Sequence, residues 1–513
     1  MNNTAYISMK NIVKTFGKVV ANNNVNFSVN KGEIHALLGE NGAGKSTLMN
    51  MLSGIYLPDS GSIFIEGKEV QFSAPKDSIA AGVGMVHQHF KLIDVMTAEE
   101  NVILGEKGFL YRKNESRKIA DLARQFDLDV DLHKKVADMS VGEKQNLEIL
   151  KVLYRGARIL ILDEPTAVLT PQETRKLFAI MRKMKQEGCA VIFISHKMNE
   201  VMEVTDKITV LRKGETIQTL NTADTTPKEL TDLMVGRAVD LTIERVEQPA
   251  GPELIQVQGL TVLKREGTPA LQDVSFAMRG GEILSVAGIA GSGQKELCEA
   301  LAGLQKVNSG QIIFKGENIV GKNQKEIRRK GISMSFVPED RLGMGLVGGM
   351  DIVHNLLLKQ YQDQKGFFLN KKPAVEKAEE IKEKLEISTP GINKYPVKNM
   401  SGGNIQKVLL GRELDSQPEV LITAYPVRGL DINTCHKIYD LLNEEKKKGV
   451  AVLFIAEDLD VLLALSDRIL VLANGEITGV VDARTATKEE IGLMMLGHKA
   501  DENGKQEGVE QRA

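Results

Sequence analysis

The chain is written twice. GEIHALLGENGAGKSTLMNMLSG, beginning at Gly32, returns as GEILSVAGIAGSGQKELCEALAG, beginning at Gly281, and DKITVLRKGETI from Asp206 returns as DRILVLANGEIT from Asp467. A repeat of this length is a whole folding unit, so the 513 residues divide into two copies of one domain. Part of the extra length of the second copy falls near DRLGMGLVGGM, Asp340 to Met350. The expected boundaries are 1–237 for the first copy and 254–498 for the second. Between them 238–253 is polar with Pro and Gly and reads as a linker; the tail 499–513 is charged, lacks aromatics and reads as disordered.

Within each copy the apolar pattern changes period. Val25, Phe27 and Val29 alternate, as in a half-buried strand, and the apolar run Ile34 to Leu38 enters a Gly-rich loop and then a helix. Ile119, Leu122, Ala123 and Phe126 fall on one helical face, as do Val375, Ala378, Ile381 and Leu385. ILIL at Ile159 to Leu162 and VIFI at Val191 to Ile194 read as buried strands. Strands alternating with helices imply an α/β fold around a parallel sheet.

Bulk properties exclude several classes. The formal net charge of −2 gives no general attraction to nucleic acid or to an anionic membrane. Cys189, Cys298 and Cys435 lie far apart in no metal-binding spacing and suit a reducing compartment. The beginning MNNTAYISMKN has no apolar core of a signal peptide. No uncharged apolar run reaches the roughly 18 residues that a membrane helix needs, so any membrane span is expected from another chain.

The chemistry is concentrated in two places. Gly39, Glu40, Asn41, Gly42, Ala43, Gly44, Lys45, Ser46 and Thr47 match the pattern GxxxxGK[ST]. Its glycines let backbone N–H groups close around phosphate at a helix N-terminus, Lys45 reaches the β- and γ-phosphates, and the Ser46 hydroxyl is placed to ligate Mg²⁺. ILILDEP then delivers Asp163 and Glu164 to a strand tip, the first to hold Mg²⁺ and the second to polarise an attacking water.

With these motifs the chain resembles the ATP-binding cassette family, twice over, across nearly all of residues 1–498. The resemblance implies two tandem P-loop NTPase domains of α/β class, each with a RecA-like parallel-sheet core, an antiparallel β subdomain and a helical subdomain. It implies ATP and Mg²⁺ as ligands, Phe16 beneath adenine, Gln88 in VHQHF between γ-phosphate, Mg²⁺ and a membrane partner, and His196 in FISHK as the γ-phosphate switch. The family signature, ideally LSGGQ, appears as MSGGN in the second copy, with Ser401, Gly402, Gly403 and Asn404. In the first copy it is MSVGE, with Ser140, Val141, Gly142 and Glu143. Val141 adds a branched side chain there, and Glu143 adds a negative charge near the expected phosphates.

In this family two units dock head to tail, each ATP lying between one unit's phosphate loop and the other's signature. Sorted this way, one site takes Gly39–Thr47, Gln88, Asp163, Glu164 and His196 with Ser401 to Asn404 and the crossing Asp431. The other is degenerate. Its loop keeps Gly288, Gly291 and Gly293 but has Gln294 for the lysine, with Lys295 beside it as partial cover. Ala424 and Tyr425 replace the acid pair, Glu339 and Glu457 replace the glutamine and histidine, and Thr170 replaces the crossing aspartate. Damage sorted by site rather than by half implies that the two halves pair within one chain.

Two cassettes with DEPTAVLTPQE and MSGGNIQKVLLGREL are similar to the ATPases of bacterial importers of simple sugars and nucleosides, and VHQHFKLID and GIAGSGQKEL lean toward purine nucleosides such as guanosine over ribose, galactose or xylose. That likeness implies a place on the cytoplasmic face of the membrane, two multi-span permease subunits and an extracellular lipoprotein that binds the solute. Phe90, Leu92, Ile93 and Val95, between Gln88 and Asn101, are the expected grip on a permease helix. A soluble tandem-cassette ATPase acting on ribosomes or DNA is the rival reading, weakened by Ala424, Tyr425 and the missing cysteine cluster. A non-enzymatic nucleotide-gated scaffold is a second, opposed by the full set Lys45, Asp163, Glu164 and His196.

Overall fold

The computed structural model describes residues 5–17, 19–87, 90–105, 113–166, 169–195, 197–236, 242–264, 267–336, 341–361, 364, 368–415 and 417–499. The chain forms two compact units, Met1–Leu241 and Thr242–Ala513.

In the first unit a six-stranded sheet runs in the order Glu215–Asn221, Lys207–Arg212, Ile34–Leu38, Ala190–Ile194, Ile159–Asp163, Val83–Val86. The second repeats the order with Glu476–Asp482, Arg468–Ala473, Ile283–Gly288, Ala451–Ile455, Val420–Ala424 and Ile332–Phe336. The apolar runs Ile34–Leu38 and Ala190–Ile194 are buried along their whole length, as central strands covered on both faces must be. The sheet is parallel except at one edge, where Glu215–Asn221 and Glu476–Asp482 run antiparallel to their neighbours. The expected parallel core is present, and this antiparallel edge is added to it. Its cause is local: Lys213-Gly214 and Asn474-Gly475 all have positive φ, the backbone of a two-residue hairpin turn, which sends the chain straight back.

Each unit adds a four-stranded antiparallel sheet, ordered Val19–Val29, Ile7–Phe16, Ser60–Ile65, Lys68–Val70 in the first. Val25, Phe27 and Val29 turn into its core, which continues through Leu48 and Leu52 of the helix Lys45–Leu52 to the parallel sheet. Helices Lys113–Gln125 and Val141–Tyr154, and Lys372–Lys384 and Gly402–Leu414, form the helical part of each unit. Ile119, Ala123 and Phe126 are buried on one side of it, as are Ala378, Ile381 and Leu385, whereas Leu122 and Val375 lie at the margin.

The stretch ahead of Glu253 is bound to the second unit. Ile243 packs against its core. Asn443 donates to Glu244 O at 2.7 Å, Lys446 Nζ to Val246 O at 2.5 Å, and Gln248 Nε2 to Lys446 O and Gly281 O at 2.7 and 3.0 Å. Glu247 pairs with Arg484 at 2.5 Å, and Arg245 donates to Leu463 O. This strap seals an ion pair. Lys446 meets Asp467 at 2.8 Å with its side chain 0% exposed, and Asp467 accepts from Ile283 N at the foot of the central strand. The first unit has the same pair, Lys185–Asp206, with the same bond to Ile34 N, but there the lysine side chain is 39% exposed.

Removing one partner of a buried ion pair strands the other charge, whereas an exposed pair is screened by water. Lys446→Ala should therefore destabilise the second unit by about 3–5 kcal/mol, and Lys185→Ala the first by about 0–1 kcal/mol. Hydrogen exchange of the strands Ile283–Gly288 and Ile34–Leu38 in the full chain measures both. Equal losses would refute the sealing role of the strap.

Candidate functional site

The first phosphate loop leaves the buried strand Ile34–Leu38 and enters the helix Lys45–Leu52 in six residues. Two glycines make that turn possible. A Cβ on Gly39 would lie 2.5 Å from Leu211 O, and one on Gly44, at φ 99°, would lie 2.4 Å from Ala21 O. The backbone thus presses against its neighbours from behind, while the helix N-terminus turns its unbonded N–H groups outward.

Lys45 is 8% exposed and closes the loop on itself. Its Nζ donates to Gly39 O at 2.6 Å and to Glu40 O at 3.1 Å. Burial lowers its pKa, and Glu164, Asp163 and Glu40 act in the opposite direction. The acid pair sits at the tip of Ile159–Asp163, in register with Ile194. Burial, with Glu164 adding repulsion, pushes the Asp163 carboxyl up to about 6, against the pull of Lys45. A carboxylate so placed gains by a cation. With the exposed Ser46 hydroxyl it offers a small, all-oxygen donor set with room for phosphate oxygens and water, which fits Mg²⁺ rather than a thiolate- or imidazole-seeking metal.

Glu164 is aimed by strain. Its φ of 48° is unusual for a residue with a side chain, and its N–H is fixed to Ile194 O at 3.0 Å. Tyr425, its counterpart, has φ 52° and donates to Ile455 O at 2.7 Å. The second unit has kept the strained backbone and changed only the group it points. Gln88, His196 and Glu339 lie outside the described residues.

The second loop has kept its shape as well. Gln294 Nε2 donates to Ile289 O at 3.1 Å, the counterpart of the bond from Lys45 to Glu40 O, and Gly293 has φ 108°. A neutral amide therefore closes the loop without a charge for phosphate. Lys295 beside it has a side chain 61% exposed that faces Glu299 along the helix at 3.8 Å. Ala424 is buried and offers no ligand for a metal. Burial, then Glu457, pushes the Tyr425 hydroxyl up to about 12, so it stays protonated near neutral pH. Glu457, at the histidine position, pairs with Arg428 at 3.5 Å, and Arg428 lies over the Tyr425 ring. Sequence reasoning passed over Arg428, although it stands in the RGLD segment that supplied Asp431.

Both signatures cap helices. Ser401 receives Asn404 N at its Oγ and presents Gly402 and Gly403 in the first turn, where the Gly403 Cα faces Asp431 and Thr434. Asp431 itself caps the next helix, accepting from Thr434 N at 2.9 Å, and Thr170 does the same for its own helix. In the first unit Ser140 and Glu143 form a reciprocal capping box. Glu143 also takes two bonds of 2.8 Å from Lys134, which hold its carboxyl below the usual range despite partial burial. The repulsive charge expected at Glu143 is thus largely tied up within its own unit. Val141 remains the steric departure.

Two loops present apolar residues to solvent. Asn101 is buried and bonds both N and O of Ile93, which leaves Val95 79% exposed beside Ile93; Phe90 and Leu92 are half-buried. In the second unit Asn355 clamps Val347 in the same way, with Met344, Val347 and Met350 exposed. No helix among the described residues is long and apolar enough to cross a membrane.

A family model described as "ABC transporter" matches residues 22–167 and 271–426. The nucleoside import ATP-binding protein NupA of Lactococcus lactis subsp. cremoris is 42% identical, covering 98% of this chain and 100% of that protein. The guanosine import ATP-binding protein NupO of Bacillus subtilis is 42% identical over 98% of this chain and 99% of its own. The ribose import ATP-binding protein RbsA 1 of Rubrobacter xylanophilus is 38% identical over 96% and 99%.

The loop clamp can be tested before any nucleotide is added. Lys45→Gln should leave the exchange of the loop amides of the free chain close to native, as Gln294 does in the second unit, whereas Lys45→Ala should open the loop by about 1 kcal/mol. Native-like protection in Lys45→Ala would remove the clamp.

Proposed function

The chain belongs to the ABC transporter family, and from that membership we propose that it is the ATP-hydrolysing subunit of an importer that carries nucleosides, purine nucleosides such as guanosine foremost, across the cytoplasmic membrane. The observation that carries the reading is the match along the whole length of both cassettes to two nucleoside-import ATP-binding proteins. The sugar-import relative lies further off at 38% identity.

Hydrolysis is assigned to the first unit's residues. Lys45 and the loop N–H groups hold the β- and γ-phosphates, Phe16 stacks on adenine, Glu164 orients and polarises the attacking water, and Ser46, Gln88 and Asp163 hold Mg²⁺, with His196 at the γ-phosphate. Held by Ser46, Gln88 and Asp163, the metal ion would supply positive charge against the negative charge that develops on the phosphate. Ser401, Gly402, Gly403, Asn404 and Asp431 complete the site when the two halves of one chain pair. The second loop, with Gln294, Ala424 and Tyr425 for lysine, metal acid and base, is assigned no turnover.

Exposed apolar residues on clamped loops suit docking by another protein. Ile93 and Val95 in one unit, and Met344, Val347 and Met350 in the other, are assigned to the cytoplasmic helices of two multi-span permease subunits. The chain is thereby peripheral on the inner face of the membrane, and a solute-binding lipoprotein outside selects the cargo.

In vesicles containing the complete transporter, ATP inside should drive uptake of labelled guanosine. Glu164→Gln should lower phosphate release at least about 100-fold, and Tyr425→Phe by less than about two-fold. Comparable losses from both changes would overturn the assignment of turnover to the first site, and uptake of ribose, galactose or xylose without guanosine would replace the cargo. Val95→Asp should release the chain from the membranes while leaving its own ATP binding intact, and retention would move the docking surface elsewhere.

A further inference from the structure

Phe16 is the last residue of the strand Ile7–Phe16 and is 44% exposed. A ring at a strand end needs support to offer one fixed face. Tyr56 meets it edge-on, with centroids 5.3 Å apart and planes at 70°, and Lys14 Nζ lies over it 5.6 Å from the centroid. Asp59 ties this end of the strand together. One carboxylate oxygen receives Lys14 Nζ at 2.7 Å, the other receives Thr15 N and Oγ1 at 2.7 and 2.8 Å, and Asp59 N donates to Val13 O at 2.8 Å. The Lys14 and Thr15 bonds hold the Asp59 carboxyl down to about 2, so it is always charged at neutral pH. Tyr56 and Asp59 both follow the helix Lys45–Leu52, whose other end carries the phosphate loop, and Tyr56 N donates to Asn50 O of that helix at 3.1 Å.

The second unit serves as an internal control. Ile255 pairs with Phe314 as Ile7 pairs with Ile65, with the same irregularity further along each strand, and Asn308 N donates to Thr261 O as Asp59 N does to Val13 O. In that register Lys264 stands in place of Phe16, Gln305 in place of Tyr56 and Asn308 in place of Asp59. Asn308 still receives Leu263 N at 3.0 Å, so a neutral amide is enough to shape the strand. The carboxylate and the second ring occur only where the first ring occurs. Strand geometry alone gives no reason for them.

We propose that Tyr56 and Asp59 are positioning residues that fix the Phe16 ring against the phosphate-binding helix, so that the adenine base contributes to affinity at the first site. This rests on the reading of Phe16 as the adenine contact. An aromatic contact of this kind changes binding by about three- to ten-fold when it is lost.

Calorimetric titration of the full-length chain with ATP and with inorganic tripolyphosphate, which has no base, tests the idea. Phe16→Ala, Tyr56→Ala and Asp59→Asn should each weaken ATP by about three- to ten-fold and leave tripolyphosphate unchanged, and Tyr56→Phe should bind ATP like the native chain. Native ATP affinity in Tyr56→Ala and Asp59→Asn beside a loss in Phe16→Ala would overturn the positioning role and spare the Phe16 contact. Native affinity in Phe16→Ala would overturn the contact itself. Equal losses for ATP and tripolyphosphate would make the two residues merely structural and overturn the proposal.

Discussion

Lys45 is a charged group kept almost out of water, and a charge so placed has to be compensated. In the free chain the compensation comes from two loop carbonyls and from the field of Asp163 and Glu164. None of these partners is far from where the triphosphate of a bound nucleotide is assigned. The same ammonium that closes the loop is thus available to change partners, and the acid pair that helps hold it is left in need of a cation when it does. Burial disfavours the charged form of a lysine and of a carboxylate alike, and proximity of the two opposes that. Each half of the arrangement makes the other tolerable, which is why loop and strand tip have to be brought together by one sheet.

The second unit shows what remains when that electrostatic constraint is lifted. Gln294 needs no counter-charge, and the acid positions are accordingly Ala424 and Tyr425. The backbone has not followed. The loop glycines, the left-handed residue after the strand and its bond to the neighbouring strand are all still present. Loop closure and strand-tip strain are therefore separable from phosphate chemistry: they belong to the way the sheet ends, and the reactive groups are mounted on them. Arg428 and Glu457 add an ion pair of their own beside Tyr425.

Much of this was legible in the linear order of residues. The repeats fixed the number of units, and Ile34–Leu38, Ile159–Asp163 and Ala190–Ile194 read as buried strands because an unbroken apolar run has no solvent face to reveal. The phosphate loop and acid pair were found because their residue types follow directly from the chemistry. What escaped reading were relations between groups distant in sequence. The edge hairpins needed the signs of φ at Lys213-Gly214 and Asn474-Gly475. The quieting of Glu143 depends on Lys134, that of Glu457 on Arg428, and the support of Phe16 on a ring and a carboxylate from a loop beyond the next helix. No periodicity or motif records such pairings, and exposed charges of either sign are too common for any one of them to announce its partner.

The polar stretch ahead of Glu253 has a practical bearing. A polar sequence with Pro and Gly invites truncation, and a recombinant second half would naturally be cloned from the start of its first strand. Such a fragment would expose Lys446 and Asp467 to solvent, unseat the carbonyl acceptors of Asn443 and Lys446, and bare the apolar ground beneath Ile243. Poor solubility of that fragment would then reflect a misplaced cut and would say nothing about whether the half can fold by itself. Cloning from Thr242 keeps the half whole.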